Sequence, residues 1–260
     1  MKIVSDARLQ KFVEEKLLDD QSPANIAGRI KEHEKHLPIV SKNSIYRYIG
    51  SPYGIKIKEY RNKQKSRRRN NYQNKNLKLE NRTFIENRPE IINTRARIGD
   101  AESDFILSGK SGKGVLLVVT DRKSRAPFLG RIIDLAKPNI NIAFQKIKKR
   151  FPELRTITTD NDILLNHHKE LESLLKIKIY FCHPYHSWEK GTVENANGYV
   201  RKKIPKGSDI SKYSHQFIRR IEVKLQRRIM ECLNYLTPFE VLEQFREQKK
   251  RLSAKQKVSK

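Results

Sequence analysis

Apolar positions in the first fifty residues recur at helical spacing. Over residues 6–18, Leu9, Phe12, Val13 and Leu17 fall on one face, the rhythm of a half-buried helix. Ser22-Pro23 then supplies an N-cap and a proline at the first helical position, where the missing N–H has no partner to lose. Residues 24–33 follow, with Ile26, Ala27 and Ile30 on one side. After Pro38, Ser41 caps a third short helix over 42–49 that ends near Gly50. Two short helices joined by a compact turn, the second rich in Lys, Asn, Ser, Tyr and Arg, form the pattern of a helix-turn-helix. On this reading the second is the recognition helix, and Lys42, Asn43, Ser44, Arg47 and Tyr48 are available to DNA. The same pattern also suits a plain three-helix packing unit with a polar face.

Beyond residue 52 the pattern changes twice. Residues 56–79 hold ten basic side chains and one acid, Glu59, with few apolar positions. Such a stretch reads as a basic linker, disordered unless DNA orders it. Arg67, Arg68 and Arg69 interleave with Tyr60 and Tyr72, which suits contact with a phosphate backbone and stacking. From Gly99 the period shortens to two, and strands are predicted over 101–107, 115–120 and 125–133. An amphipathic helix over 139–150 follows, with Ile140, Ala143, Phe144 and Ile147 on one face. Then come a strand over 154–159 ending on Asp160, a helix over 170–175, a strand over 177–182 and a helix over 187–203. Three strands followed by helix, strand, helix, strand, helix is the order of a ribonuclease H-like sheet. The tail over 213–245 reads as mostly helical, with Phe217, Ile221, Leu225 and Ile229 in a stripe and a restart at Thr237-Pro238. Residues 249–260 read as a basic, frayed end.

The expected organisation is therefore an all-α helix-turn-helix domain (1–52), a basic linker (53–95), an α/β core with a mixed five-stranded sheet and flanking helices (96–205), and a C-terminal helical extension with a basic tail (206–260).

Charge narrows the function. Among 260 residues, 56 Lys and Arg face 29 Asp and Glu, a net charge of +27, and hydrophobic residues reach only 37%. So large an excess repels itself unless an anion offsets it, and nucleic acid is the commonest such partner. Cys182 and Cys232 have no metal-ligand spacing, and a disulfide framework is not expected. No apolar run approaches a membrane span, and the first residues lack the core of a signal peptide. A cytoplasmic, nucleoid-associated protein with no membrane partner is expected.

In a basic chain that binds phosphates, clustered carboxylates need a reason, and a divalent metal is one. Two Mg²⁺ ions about 3.5–4 Å apart activate a nucleophile and neutralise a phosphodiester in line. A few carboxylates suffice to hold them, because water and phosphate complete the octahedra. The first strand carries Asp100, Glu102 and Asp104, which strand alternation puts on one face, so the pattern does not choose among them. The fourth strand ends at Asp160, with Asp162 two residues on, and Glu194 lies 33 intervening residues later on a helix. Taken singly, each of these acids reads as a helix cap or an ion-pair partner rather than as a metal ligand.

Three segments resemble the DDE transposases of the insertion sequence 30 family. They are Gly99-Asp-Ala-Glu-Ser-Asp104, Thr159-Asp-Asn161 and Pro184-Tyr-His-Ser-Trp-Glu-Lys-Gly-Thr-Val-Glu-Asn-Ala-Asn-Gly198. Lys203-Ile-Pro-Lys-Gly207, the run 232–241 and the helix-turn-helix segments 22–30 and 44–49 resemble further blocks of that family. The resemblance implies Asp104, Asp160 and Glu194 as the catalytic and metal-holding triad, with two Mg²⁺ ions for which Mn²⁺ substitutes. It selects Asp104 over Asp100 and Glu102. It also implies double-stranded DNA as partner, both element ends and target, and a homodimer or higher assembly that synapses two ends. Asn195, Asn197 and Arg201, on the helix of Glu194, are expected to touch DNA or to orient the carboxylate. That family usually begins with a further helix-turn-helix, and this sequence starts too late to hold it. A truncated copy, a short member or a gene begun at an internal methionine is expected. The function so implied is metal-dependent cleavage and strand transfer of an insertion element, with binding of its terminal inverted repeats. A hydrolytic nuclease, or a DNA-binding repressor or domesticated protein with an inactive core, is the alternative.

Overall fold

The computed structural model describes residues 1–63, 82–183 and 187–258, which fall into two compact units. One gathers the described residues of Met1–Arg69 and Arg227–Lys260; the other is the described part of Asn70–Gln226.

In the first unit, α1 (Ala7–Leu18) begins at Asp6, whose carboxylate accepts from the backbone N–H groups of Arg8 and Leu9. The next helix, α2 (Pro23–Glu32), is capped by Ser22, and α3 (Lys42–Gly50) by Ser41. These are the three helices that the apolar rhythm predicts, with the expected caps at Ser22 and Ser41; the Asp6 cap is not among the expectations. A fourth helix, α4 (Ile55–Lys63), lies where a linker is expected and inserts Ile57 into the same core as Leu9, Leu17, Ile26, Ile30 and Ile45. Its weak amphipathic pattern hid it, since Ile57 is its only buried apolar side chain.

The same unit takes back the C-terminus of the chain. Asn25 donates to the carbonyl of Ile229 at 2.6 Å, and the Gln21 amide both donates to the Arg227 carbonyl and accepts from the Ile229 N–H. Arg29 makes a two-pronged bond, 2.7 and 2.8 Å long, to Glu240 in the last helix. Gly28 is required here, because a Cβ would stand 2.0 Å from the Tyr235 ring. The stretch read as one extension thus divides at Arg227, residues 206–226 going with the sheet and 227–258 with the helices.

In the second unit a 3-10 turn (Ile85–Asn87) and a short helix, α5 (Glu90–Asn93), precede a five-stranded sheet. Its strands are β1 (Asp100–Leu107), β2 (Val115–Asp121), β3 (Pro127–Ile132), β4 (Thr156–Thr159) and β5 (Lys178–Phe181). Their order is β3-β2-β1-β4-β5; β1 runs antiparallel to β2 and parallel to β4. The connecting helices are α6 (Lys137–Arg150) and α7 (His168–Leu175), followed by α8 (Gly191–Lys203) and α9 (His215–Gln226). This is the mixed sheet with flanking helices that the strand order predicts. Val118, Leu129, Val193, Tyr199, Ile210, Ile218 and Ile221 share one core beneath α8 and α9. The stripe expected through Ile229 stops at Gln226, and the last helix, α10 (Pro238–Val258), restarts at Pro238 as predicted and runs on through the stretch read as frayed.

At the edge of the sheet, β3 has outward N–H and carbonyl groups that no strand pairs. Glu222 accepts from the Leu129 N–H at 2.7 Å, Arg150 donates to the Leu129 carbonyl, and Gln226 to the Pro127 carbonyl. Side chains of α6 and α9 thereby close an edge that would otherwise invite another strand.

Candidate active site

The three acids of β1 share a strand but not an environment. Asp100 is fully buried and accepts from Arg97 and from the Thr156 hydroxyl. Glu102 is also buried; it pairs with Arg122 at 3.1 Å and accepts from the N–H groups of Thr192 and Val193 at 2.8 and 3.0 Å. Those two amides are unpaired donors in the first turn of α8, whose own N-cap residue offers them no side chain. A carboxylate there also meets the positive end of the helix dipole. Glu102 is therefore a cap supplied by the strand, and it fixes the helix that carries Glu194. Asp104 is the one of the three that is not closed off by the core.

The register between β1 and β4 pairs Glu102 with Thr158. Continued by two residues, it sets Asp160, just past the end of β4, beside Asp104. Between them comes the ammonium of Lys190, 3.2 Å from Asp104 Oδ1 and 2.9 Å from Asp160 Oδ2. The other Asp104 oxygen accepts from the Asn197 amide, one turn along α8 from Glu194. The second Asp160 oxygen, Oδ1, is enclosed with no hydrogen-bond partner, and so is Oδ1 of Asn197.

The electrostatics mark one coupled cluster. Burial pushes the Asp104 carboxyl above the usual range, the neighbouring Asp160 adds to this, and Lys190 offsets only part. Burial also raises Glu194, opposed by Lys190 and reinforced by Asp104, Glu102 and Asp160. Asp162 is raised by burial too, with Asp160 and Asp104 contributing; it caps the turn after β4. Lys190 is pulled down by its own burial, but Asp104 and Asp160 outweigh that and leave it above its ordinary value.

The cluster offers hard oxygen donors, the kind a divalent cation such as Mg²⁺ takes. Asp104 and Asp160 already share a cation in the form of the lysine, and the enclosed Asp160 oxygen is an unused donor. Among the described residues, no three His, Cys, Asp or Glu side chains are drawn closely enough to hold a metal ion as they stand. Glu194 is thus electrostatically coupled to the pair without completing a three-carboxylate grip.

Several other predicted residues find their places. On α3, Lys42, Asn43 and Arg47 are exposed, while Ser44 is half-buried and hydrogen-bonded to Ser41. Tyr48 must be withdrawn from the DNA-facing set. It is completely buried, its hydroxyl bonds Glu14 and Gln10, and burial with Glu14 pushes its pKa to about 12. The outward tyrosine of this helix is Tyr46. Asn195 is exposed, Asn197 orients Asp104, and Arg201 donates to the Leu107 and Pro205 carbonyls. Arg67, Arg68, Arg69, Tyr72 and His186, and the side chain of Trp188, lie outside the described residues. His183 bonds Glu86 and Glu189, and Glu189, the neighbour of Lys190, also accepts its N–H.

Lys190 escaped the sequence reading. The available signal was its position four residues before Glu194, one helical turn earlier.

No family model matches the chain. Among curated proteins, it is 38% identical over 232 residues to the transposase for insertion sequence element IS4351 of Bacteroides fragilis, covering 86% of this chain and 69% of that one. It is 34% identical over 159 residues to the transposase for IS1086 of Cupriavidus metallidurans, covering 60% of this chain and 47% of the relative. It is 29% identical over 248 residues to the transposase InsI for IS30A of Escherichia coli, covering 90% and 64%. Among solved structures, the catalytic core domain of BIV integrase matches 58% of this chain and 97% of its own, at a TM-score of 0.46 and 15% identity. The identity to the Bacteroides transposase, sustained over most of both chains, shows that the chain belongs to the insertion sequence 30 family of transposases.

Proposed function

We propose that the chain is a DDE transposase that cleaves the ends of an insertion element and joins them to target DNA. Asp104, Asp160 and Glu194 would hold two Mg²⁺ ions, with Mn²⁺ an adequate substitute. The observation that carries this reading is the convergence of Asp104 and Asp160 on one cation, with Glu194 electrostatically coupled to both. When bound, the ions supply activation of a nucleophile and charge neutralisation on the phosphate. The rest falls to the chain. Asn197 fixes the orientation of Asp104, Glu102 anchors α8, and the exposed Asn195 is free to meet a DNA strand.

In the helical unit, Lys42, Asn43 and Arg47 stand exposed along α3, as a helix lying in a major groove requires. They would read the terminal inverted repeats, with Arg67, Arg68 and Arg69 adding phosphate contacts. Double-stranded DNA is the partner in this reading, which sets the work at the nucleoid. Synapsis of two ends calls for a dimer or higher.

A second reading, a DNA-binding repressor with an inactive core, draws on the lysine seated between two of the acids and on the absence, among the described residues, of a ready three-carboxylate grip. A strand-transfer assay with Mg²⁺, a pre-cleaved element end and a plasmid target separates the two. Joined product from wild type and none from Asp160→Ala supports the transposase. DNA binding without cleavage or joining supports the repressor, and nicking without joining a hydrolytic nuclease.

A further inference from the structure

Lys190 is the least expected member of the cluster. Its side chain is only 6% exposed, and a buried ammonium is costly unless it is paired and hydrogen-bonded. Here it is doubly paired, to Asp104 and to Asp160, which come from neighbouring parallel strands. Without it, two carboxylates would face each other across a partly dry space beside a third, Glu194. Its seat is also fixed: the backbone at Lys190 leads into α8, whose first amides are held by Glu102, and the preceding Glu189 is held by His183.

We propose that Lys190 is a positioning residue that acts as a resident counter-ion, holding Asp104 and Asp160 together before a divalent metal enters and yielding those carboxylates when it does. This rests on the reading of Asp104 and Asp160 as metal ligands. The reasoning is electrostatic. An ammonium and a divalent ion compete for the same oxygens, and both cannot sit between them without strong repulsion. The lysine therefore does two opposed things: it stabilises the metal-free fold, and it weakens metal binding by the free energy of the two ion pairs that must open. A metal site that resists filling until something else favours release of the lysine is one loaded preferentially with substrate present. A DNA phosphate is a natural acceptor for the displaced ammonium.

The test is Mn²⁺ binding by the full chain without DNA, followed by loss of the free-ion paramagnetic resonance signal, alongside thermal unfolding with and without Mn²⁺. Because two ion pairs no longer have to open, Lys190→Gln should bind Mn²⁺ about 10-fold more tightly than wild type. Its metal-free melting temperature should fall, and its gain on adding Mn²⁺ should exceed that of wild type. Lys190→Arg, which keeps the charge, should retain the metal-free stability and the weak binding, and it guards against a variant that merely misfolds. Asp160→Ala should bind at no more than background. If Lys190→Gln binds no more tightly while Asp160→Ala loses binding, the role of the lysine is overturned and the metal reading stands. If Asp160→Ala binds as well as wild type, or if no protein binds Mn²⁺, the metal reading falls and the lysine proposal with it.

Discussion

Glu222 and Asp160 are both carboxylates set beside basic side chains in the same unit, and they are served very differently. Glu222 is buried on α9 and accepts from Arg150, Arg219 and the Leu129 N–H, so both its oxygens are occupied. Asp160 shares one ammonium with Asp104 and leaves an enclosed oxygen without a donor. The first arrangement is a finished structural joint that closes the edge of the sheet. In the second, Asp104 and Glu194 are held with raised carboxyl pKa values and fewer donors than the acids could use. Under-service of this kind is what the proposed cation site requires, and full service fits a group whose work is to hold the fold.

The comparison can be broken most severely at Asp160. Asp160→Ala should abolish joined product in the strand-transfer assay while costing less than about 1 kcal/mol of stability, because Asp160 is half-exposed and the buried Lys190 keeps its pair with Asp104. Glu222→Ala should do the reverse. It removes the carboxylate that Arg150, Arg219 and the Leu129 N–H share, and it should cost about 3 kcal/mol in chemical denaturation, at the low end for a buried pair because both arginines reach solvent. If Asp160→Ala unfolds the protein and Glu222→Ala does not, the contrast is reversed.

Smaller effects sharpen it. Glu102→Ala should cost about 2 kcal/mol by leaving two helix amides and Arg122 without their acceptor, with faster hydrogen exchange at Thr192 and Val193 as the signature. The pH dependence has a definite sign. A carboxyl whose pKa is raised in the folded state contributes stability that is fully present below its unfolded value and is lost as pH rises through the folded one. Metal-free Asp104→Asn should therefore be more stable than wild type near neutral pH, and the difference should vanish in acid. Smallest of all, native protein should react with a thiol reagent at Cys232 and not at Cys182. Burial pushes the Cys182 thiol to about 12, and Cys232 is exposed.

Much of this was legible along the chain, and the misses share a physical cause. Caps at Ser22 and Ser41 and the alternating strands are local signals, and the elements formed where they pointed. Strand alternation put Asp100, Glu102 and Asp104 on one face and stopped there; only the surrounding side chains separate a buried partner of Arg97, a helix cap and an open carboxylate. Tyr48 was misjudged because a polar tip on a short helix reads as outward, although its spacing of three from Ile45 put it on the apolar side. The return of residues 227–258 to the first helices depends on contacts about two hundred residues apart in sequence, such as Asn25 with Ile229, which no local pattern records. Glu222 is the one acid of α9, and nothing local in the sequence records that its carboxylate meets an arginine from α6.

In the proposed function, Asp104, Asp160 and Glu194 form one divalent-metal site. With element-end DNA present, iron(II) bound in place of Mg²⁺, with ascorbate and peroxide, cuts the backbone next to where it sits. Cuts are expected beside residues 104, 160 and 191–194, suppressed by excess Mg²⁺ and absent in Asp160→Ala. Cuts confined to other parts of the chain, or a pattern unchanged in Asp160→Ala, would contradict it.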